Sequence, residues 1–195
     1  MQGVGTSLLA AHALPLRNMM PRAPHGRGPA SDVRQRQRPA RRRLPGELVT
    51  ADFLRGLLEA TRARLPTDLQ ALQAWQQGSL VKLFGEDPEI HFELWLHRGR
   101  ERAELGLHFE TRDPRRNQRL LEYVADELPF LKEVLGTGLE AEPWDKGWTR
   151  VYLTRPLTRL DPDEQADLAT VFAELIQTLE PLRREAIEAT ADLNP

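Results

Sequence analysis

Cysteine is absent from this 195-residue chain, and so is any long apolar run. Without cysteine there is no disulfide scaffold, iron–sulfur cluster, thiolate zinc site or cysteine nucleophile. No apolar segment approaches the roughly 18 residues that a membrane-spanning helix needs, so we expect no membrane association. Glycine-rich phosphate loops, Gly-x-Ser-x-Gly elbows and His-Glu-x-x-His helices are also missing. Catalysis therefore has little direct support, and we expect no cofactor beyond the divalent metal ion considered below.

Positive and negative charges are unevenly distributed along the chain. The net charge is only −2, but residues 1–46 hold nine arginines and one acid, whereas the remainder holds 18 basic and 28 acidic side chains. This division argues against a basic nucleic-acid-binding domain. Contact with nucleic acid is expected only through residues 17–43.

Residues 1–46 are rich in Arg, Pro, Ala and Gly and have little periodic apolar content. We predict a disordered basic tail, because such a segment buries too little surface to offset its ordering entropy. Three interpretations stay open: a non-functional extension that follows a start placed too far upstream, a basic arm, or a targeting segment. Arginine outnumbers lysine 24 to 3, as in GC-rich genomes, and we expect a cytoplasmic bacterial protein.

Strict alternation of apolar and polar residues runs from Glu89 to Glu110 on both sides of a short polar turn. This period predicts a β-hairpin. A two-residue turn at Gly99-Arg100, with a positive φ at the glycine, pairs residues whose numbers sum to 199. A slip of one residue would place every apolar residue opposite a polar one, so the register is well specified.

A second hairpin is predicted from Leu139 to Thr154. Its three-residue loop Asp145-Lys146-Gly147 fits a type I turn with glycine in the left-handed position. In this register paired residues sum to 292, which matches Ala141 with Val151 and Glu142 with Arg150.

Helices are predicted before, between and after the hairpins. Thr50 is expected to cap the first, and a shorter second helix runs from Pro66 to a stop at Gly78. Asp113-Pro114 opens the next helix, which Pro129 should kink or restart. Asp161 caps the last, which Pro181 should bend without ending.

The predicted element order is ααβββαββα over a single domain of residues 47–195. This order indicates an α+β fold with an antiparallel sheet of about five strands and helices packed on one face. It is similar to the order in small bacterial secretion-chaperone-like domains. That resemblance covers about residues 47–190 and rests on element order alone.

The polar side of the first hairpin predicts a metal site. His91 lies opposite His108, and directly opposed Cβ atoms about 4.5–5.5 Å apart let two imidazoles share one ion. Glu93 or Glu110 would supply a third ligand, and Gly106 would leave space beside it. The alternative is a solvated polar face.

Aromatic residues are predicted to share that same sheet face if both hairpins join one sheet. They are Trp95, Trp144, Trp148 and Tyr152, together with Arg150. Three interpretations stay open: core residues beneath the first two helices, a partner or dimer face, and a small-ligand pocket.

We therefore expect a non-enzymatic protein-interaction module, chaperone- or adaptor-like, that binds another protein or a second copy of itself through the aromatic face. One alternative is a nucleic-acid-associated protein that contacts phosphates through its Arg-rich arm. Another is a metal-dependent enzyme centred on the histidines and glutamates of the first hairpin.

Overall fold

The computed structural model describes residues 44–191, and the predictions for residues 1–43 lie outside this range. The chain divides into two units, residues 1–41 and 42–195, and the described residues belong to the second. They contain the helices α1 (Thr50–Arg64), α2 (Pro114–Ala125), α3 (Leu128–Leu135) and α4 (Pro162–Ala189), and the strands β1 (Gln73–Gln77), β2 (Leu80–Phe84), β3 (Ile90–His97), β4 (Arg102–Phe109), β5 (Glu140–Pro143) and β6 (Thr149–Pro156). No helix in this range is long and apolar enough to cross a membrane.

The strands form one antiparallel sheet in the order β1-β2-β3-β4-β6-β5, which confirms the α+β prediction with six strands in place of about five. Both predicted registers are confirmed. Ile90 pairs with Phe109 across β3 and β4, and Ala141 pairs with Val151 across β5 and β6.

The predicted second helix is wrong. Residues 66–72 form turns and Gln73–Gln77 is the edge strand β1, paired with β2. Gly78, interpreted as a helix stop, has φ +59° and lies with Ser79 in the two-residue turn between these strands. A helix of so few residues gains too little from its own hydrogen bonds to compete with strand pairing.

The turns of both hairpins differ from the predicted types while keeping the registers. The first turn is a four-residue loop in which Glu101, and not Gly99, takes the positive φ of 49°. Because both loops are centred on the same bond, the pairing is unchanged. In the second, Lys146 and Gly147 both have positive φ, which is a type I′ geometry and not type I.

Helix boundaries largely follow the predicted signals. The backbone N–H of Glu164 donates to the Asp161 carboxylate at 3.0 Å, so this cap is confirmed. Pro181 lies inside α4 and does not end it. Near Pro129 a new helix, α3, begins at Leu128, as predicted. The predicted Thr50 cap is wrong, because α1 begins at Thr50 and makes no side-chain cap.

All four helices contribute to one apolar core with one face of the sheet. Phe53 of α1 and Phe172 of α4 belong to the same buried cluster as Phe92 and Leu105 of the central strands. Alternation sends the remaining strand residues to the opposite side, which we call the polar sheet face. Its members include Trp75, Lys82, Phe84, His91, Glu93, Trp95, His97, Arg102, Glu104, Gly106, His108, Glu110, Glu140, Glu142, Trp144, Trp148, Arg150 and Tyr152.

Candidate functional site

Two rows of directly paired residues cross the polar sheet face. The first runs Phe84, His91, His108, Arg150, Glu142, and the second runs Trp75, Lys82, Glu93, Gly106, Tyr152, Glu140. In these two rows the imidazoles lie on the middle strands β3 and β4, aromatic rings lie on β1, β2 and β6, and the edge strand β5 carries Glu140 and Glu142. The site is thus assembled from every strand of the sheet.

The four residues predicted as metal ligands lie together, and we call them the His/Glu cluster: His91, Glu93, His108 and Glu110. One ligand atom from each lies within 4.8 Å of the others. The two imidazoles are stacked with ring centroids 5.7 Å apart. Metal binding by this cluster stays a prediction.

These polar side chains are buried to an unusual degree for a sheet face. The exposed fraction is 0% for His91, 1% for His108 and 4% for Glu93. Nε2 of His91 and Nδ1 of His108 are buried and have no hydrogen-bond partner among the described residues. A buried polar atom without a partner is costly and calls for a specific explanation.

Lys82 supplies a positive charge to the cluster, although no pattern in the local sequence points to it. Its Nζ donates to Oε2 of Glu110 at 2.9 Å and lies 3.4 Å from Oε2 of Glu93. Burial acts to raise the pKa of each carboxyl group. The imidazoles and the Lys82 ammonium outweigh burial and lower both pKa values to about 2. Both glutamates are therefore ionised at neutral pH.

The ring of His91 is oriented by the backbone. Its Nδ1 lies 2.9 Å from the carbonyl oxygen of Pro88, which can only accept, so Nδ1 carries the proton. Nε2 then points at the carboxylates, 3.5 Å from Glu93 and 3.9 Å from Glu110. Burial lowers the pKa of His91 despite these carboxylates, which favours the neutral ring.

The space expected beside Glu93 at Gly106 is not open. A Cβ atom at Gly106 would lie 2.7 Å from Cβ of Tyr152 and 2.7 Å from the carbonyl oxygen of Val151. Glycine at this position therefore permits the close approach of β4 and β6, and it does not provide a cavity.

Arg150 pairs with His108 across β4 and β6, and its side chain joins two carboxylates to the aromatic rings beside the His/Glu cluster. Its guanidinium donates to Glu104 at 2.5 Å and to Glu142 at 2.7 Å. It also lies over the rings of Trp144 and Tyr152, at 4.7 Å and 3.9 Å from the centroids. Arg150 is thus held in one position by two carboxylates and two aromatic rings.

All four tryptophans lie on the polar sheet face. Trp95, Trp144 and Trp148 were predicted there, and Trp75 joins them because its segment is a strand and not a helix. Each is half-buried, and none belongs to the apolar core. The signal that could have placed Trp75 is Gly78-Ser79, a two-residue sequence that favours hairpin turns.

No family model matches the chain, and comparison with curated proteins and with solved structures gave no match. The function is therefore inferred from the geometry of the polar sheet face.

Proposed function

We propose that this protein is an interaction module that binds a partner protein through the aromatic rings of the polar sheet face. The observation that carries the proposal is the position of the tryptophans: all four are half-buried on one face, outside the core. Tryptophan, tyrosine and arginine are the residues most enriched among the energetic anchors of protein interfaces.

The rings at the β5–β6 edge are already fixed before a partner binds. Trp144 contacts Trp148 at 6.2 Å between centroids, and Arg150 packs over it. The Tyr152 hydroxyl donates to Glu140 at 2.7 Å, and burial together with this hydrogen bond raises the pKa of Tyr152 to about 12. Prearranged rings lose little conformational entropy on binding, which favours affinity.

The charge around these rings favours a basic partner. Three acids, Glu140, Glu142 and Asp145, lie beside these rings and outnumber by one the two bases there, Lys146 and Arg150. The whole segment of residues 47–195 has ten more acids than bases. Like charges facing each other across an interface are unfavourable, so a second copy is a poorer fit than a different chain. We propose a partner segment that carries lysine or arginine alternating with apolar side chains.

Titration of fluorescently labelled peptides tests the proposal with defined probes. An alternating Arg/Leu peptide is compared with a Glu/Leu peptide of equal length, by anisotropy, on the full chain. We expect saturable binding of the Arg/Leu peptide only. The Trp144→Ala, Trp148→Ala double variant should bind the Arg/Leu peptide at least about tenfold more weakly, because a few anchor residues supply most of the binding energy of an interface.

The matched control is Phe130→Ala. Phe130 is also a large ring and is 57% exposed, but it lies on α3, which packs against α4 on the helical side. Binding should be unchanged in this variant. Equal loss in both variants, equal binding of both peptides, or self-association of the chain in place of peptide binding would each contradict the proposal.

A further inference from the structure

The His/Glu cluster has a feature that the interaction function does not use, namely two imidazole nitrogens buried without partners. His91 Nε2 and His108 Nδ1 are both inaccessible and both face carboxylates. The separations are 3.5 Å from His91 to Glu93 and 3.7 Å from His108 to Glu110. At His91, whose Nδ1 carries the proton, the lone pair of Nε2 is directed at an anionic oxygen, which is repulsive unless a cation lies between them.

The hydrogen bond from His91 Nδ1 to the Pro88 carbonyl is the kind of outer contact that metal-bound histidines make. It fixes the ring so that Nε2, with its lone pair, projects into the cluster. The orientation required for coordination is therefore present in the protein without any ion.

The spacing of the ligand atoms is close to what a tetrahedral ion requires. With metal–ligand bonds of about 2.0–2.1 Å, ligand atoms are separated by roughly 3.3 Å. His91 Nε2 lies 3.5 Å from Oε2 of Glu93 and 3.9 Å from Oε2 of Glu110, and His108 Nδ1 lies 3.7 Å from Oε1 of Glu110. One ligand atom from each residue lies within 4.8 Å of the others, so side-chain rotations would bring the donors together around an ion.

We propose that His91, Glu93, His108 and Glu110 form a binding site for a divalent transition-metal ion of the zinc class. Two imidazoles and two carboxylates are a donor set that Zn²⁺ accepts, whereas Mg²⁺ and Ca²⁺ prefer oxygen ligands alone. The ion would bridge β3 and β4 at the centre of the polar sheet face.

Lys82 competes with the metal ion for this site. Its Nζ contacts Oε2 of Glu110, the oxygen that faces His91, and it also lies 3.4 Å from Oε2 of Glu93. The Lys82 side chain is 16% exposed, so part of it already reaches solvent. Lys82 must leave its two carboxylates when the ion enters, and removal of its charge should strengthen metal binding.

Calorimetric titration of the metal-stripped full chain with ZnCl₂ is the test, and Co²⁺ supplies a second readout through its visible absorption bands. Wild type should bind one equivalent at this site with a four-coordinate Co²⁺ spectrum. His91→Gln and His108→Gln should each weaken Zn²⁺ binding at least about tenfold. Removal of a group that hydrogen-bonds a metal ligand already lowers metal affinity by about tenfold or more, and removal of the ligand itself should lower it at least as much. His97→Gln is the matched control: His97 lies on the same face beside Glu104, outside the cluster, and its loss should change nothing.

Lys82→Met keeps the proposal testable if a histidine variant fails to fold, because Lys82 lies at the rim. Its loss should raise Zn²⁺ affinity at least about tenfold, since it removes a charge that repels the ion. No zinc binding by wild type, binding that survives both histidine changes, or unchanged affinity in Lys82→Met would each overturn the assignment.

Discussion

Arg150 contacts two carboxylates and two aromatic rings of the polar sheet face. We predict that Arg150→Met lowers the free energy of unfolding by about 3–5 kcal/mol, because buried Glu104 would lose its closest ion-pair partner and keep only His97 at 3.5 Å and Arg102 at 3.8 Å. Urea denaturation measures this. Glu142→Gln is the control: its side chain is 40% exposed and should cost less than about 1 kcal/mol. Equal costs would show that Glu104 does not depend on Arg150.

Glu180 on α4 predicts a defined pH dependence. Burial acts to raise its pKa, but hydrogen bonds and charge from Arg183 and Arg184 outweigh burial and lower it below 4.5. A depressed carboxyl pKa stabilises the fold above the unfolded value and loses that effect as pH falls through the folded value. Glu180→Gln should cost about 1–3 kcal/mol at pH 7, and the difference from wild type should shrink below about pH 4. A difference independent of pH in urea melts would contradict the ion-pair account.

At the scale of elements, the two long hairpins were predictable and the short edge strand was not. Local alternation specifies the pairing of β3 with β4 because the partners are near in sequence and a slip exposes the core. Residues 66–77 offer only Leu69, Leu72 and Trp75 at a spacing that a helix also satisfies. Pairing with β2 makes Gln73–Gln77 a strand, and the intrinsic propensity of so short a segment does not predict this pairing.

The contact between β4 and β6 depends on Gly106. We predict that Gly106→Ala destabilises the protein by about 1–3 kcal/mol. The new methyl group would lie 2.7 Å from Cβ of Tyr152 and 2.7 Å from the carbonyl oxygen of Val151, which is too close. Gly138→Ala is the matched control, since a Cβ there meets nothing within 4 Å and its φ is not positive. Thermal or urea unfolding of Gly106→Ala and Gly138→Ala measures the difference in stability. A neutral Gly106→Ala would mean that the two strands can separate at no cost.

On the scale of the whole molecule, the described domain should stand without residues 1–43. The buried core residues lie between Phe53 and Ala186, so deletion of 1–43 should change the free energy of unfolding by less than about 1 kcal/mol. Deletion of 1–48 is the comparison: it removes buried Glu47 and the hydrogen bond from Leu48 to Leu160, and it should cost more. A large loss from the shorter deletion would refute the predicted independence of the tail.

The Arg-rich arm makes a separate prediction about nucleic acid. Any DNA or RNA binding by the full chain should disappear with residues 1–43 and fall steeply with added salt, because arginine–phosphate contacts release counterions. Filter binding at two salt concentrations measures this. Binding that persists in the shortened chain would contradict the arm interpretation.

Only those contacts of the candidate site that lie within one hairpin could be predicted from the sequence. His91 and His108 share one hairpin, so their pairing followed from local sequence. Lys82 reaches the cluster because β2 lies beside β3, and Arg150 because β6 lies beside β4. These neighbours are set by the order of strands in the sheet, which alternation does not encode.

We propose that the tryptophans of the polar sheet face form a binding surface and not a core. The most direct test is the free energy of unfolding of Trp148→Ala in urea, measured beside Phe92→Ala, a substitution at a fully buried core ring. We predict that the free energy of unfolding of Trp148→Ala stays within about 1 kcal/mol of wild type, while Phe92→Ala loses about 3–5 kcal/mol. A loss from Trp148→Ala as large as that from Phe92→Ala would contradict it.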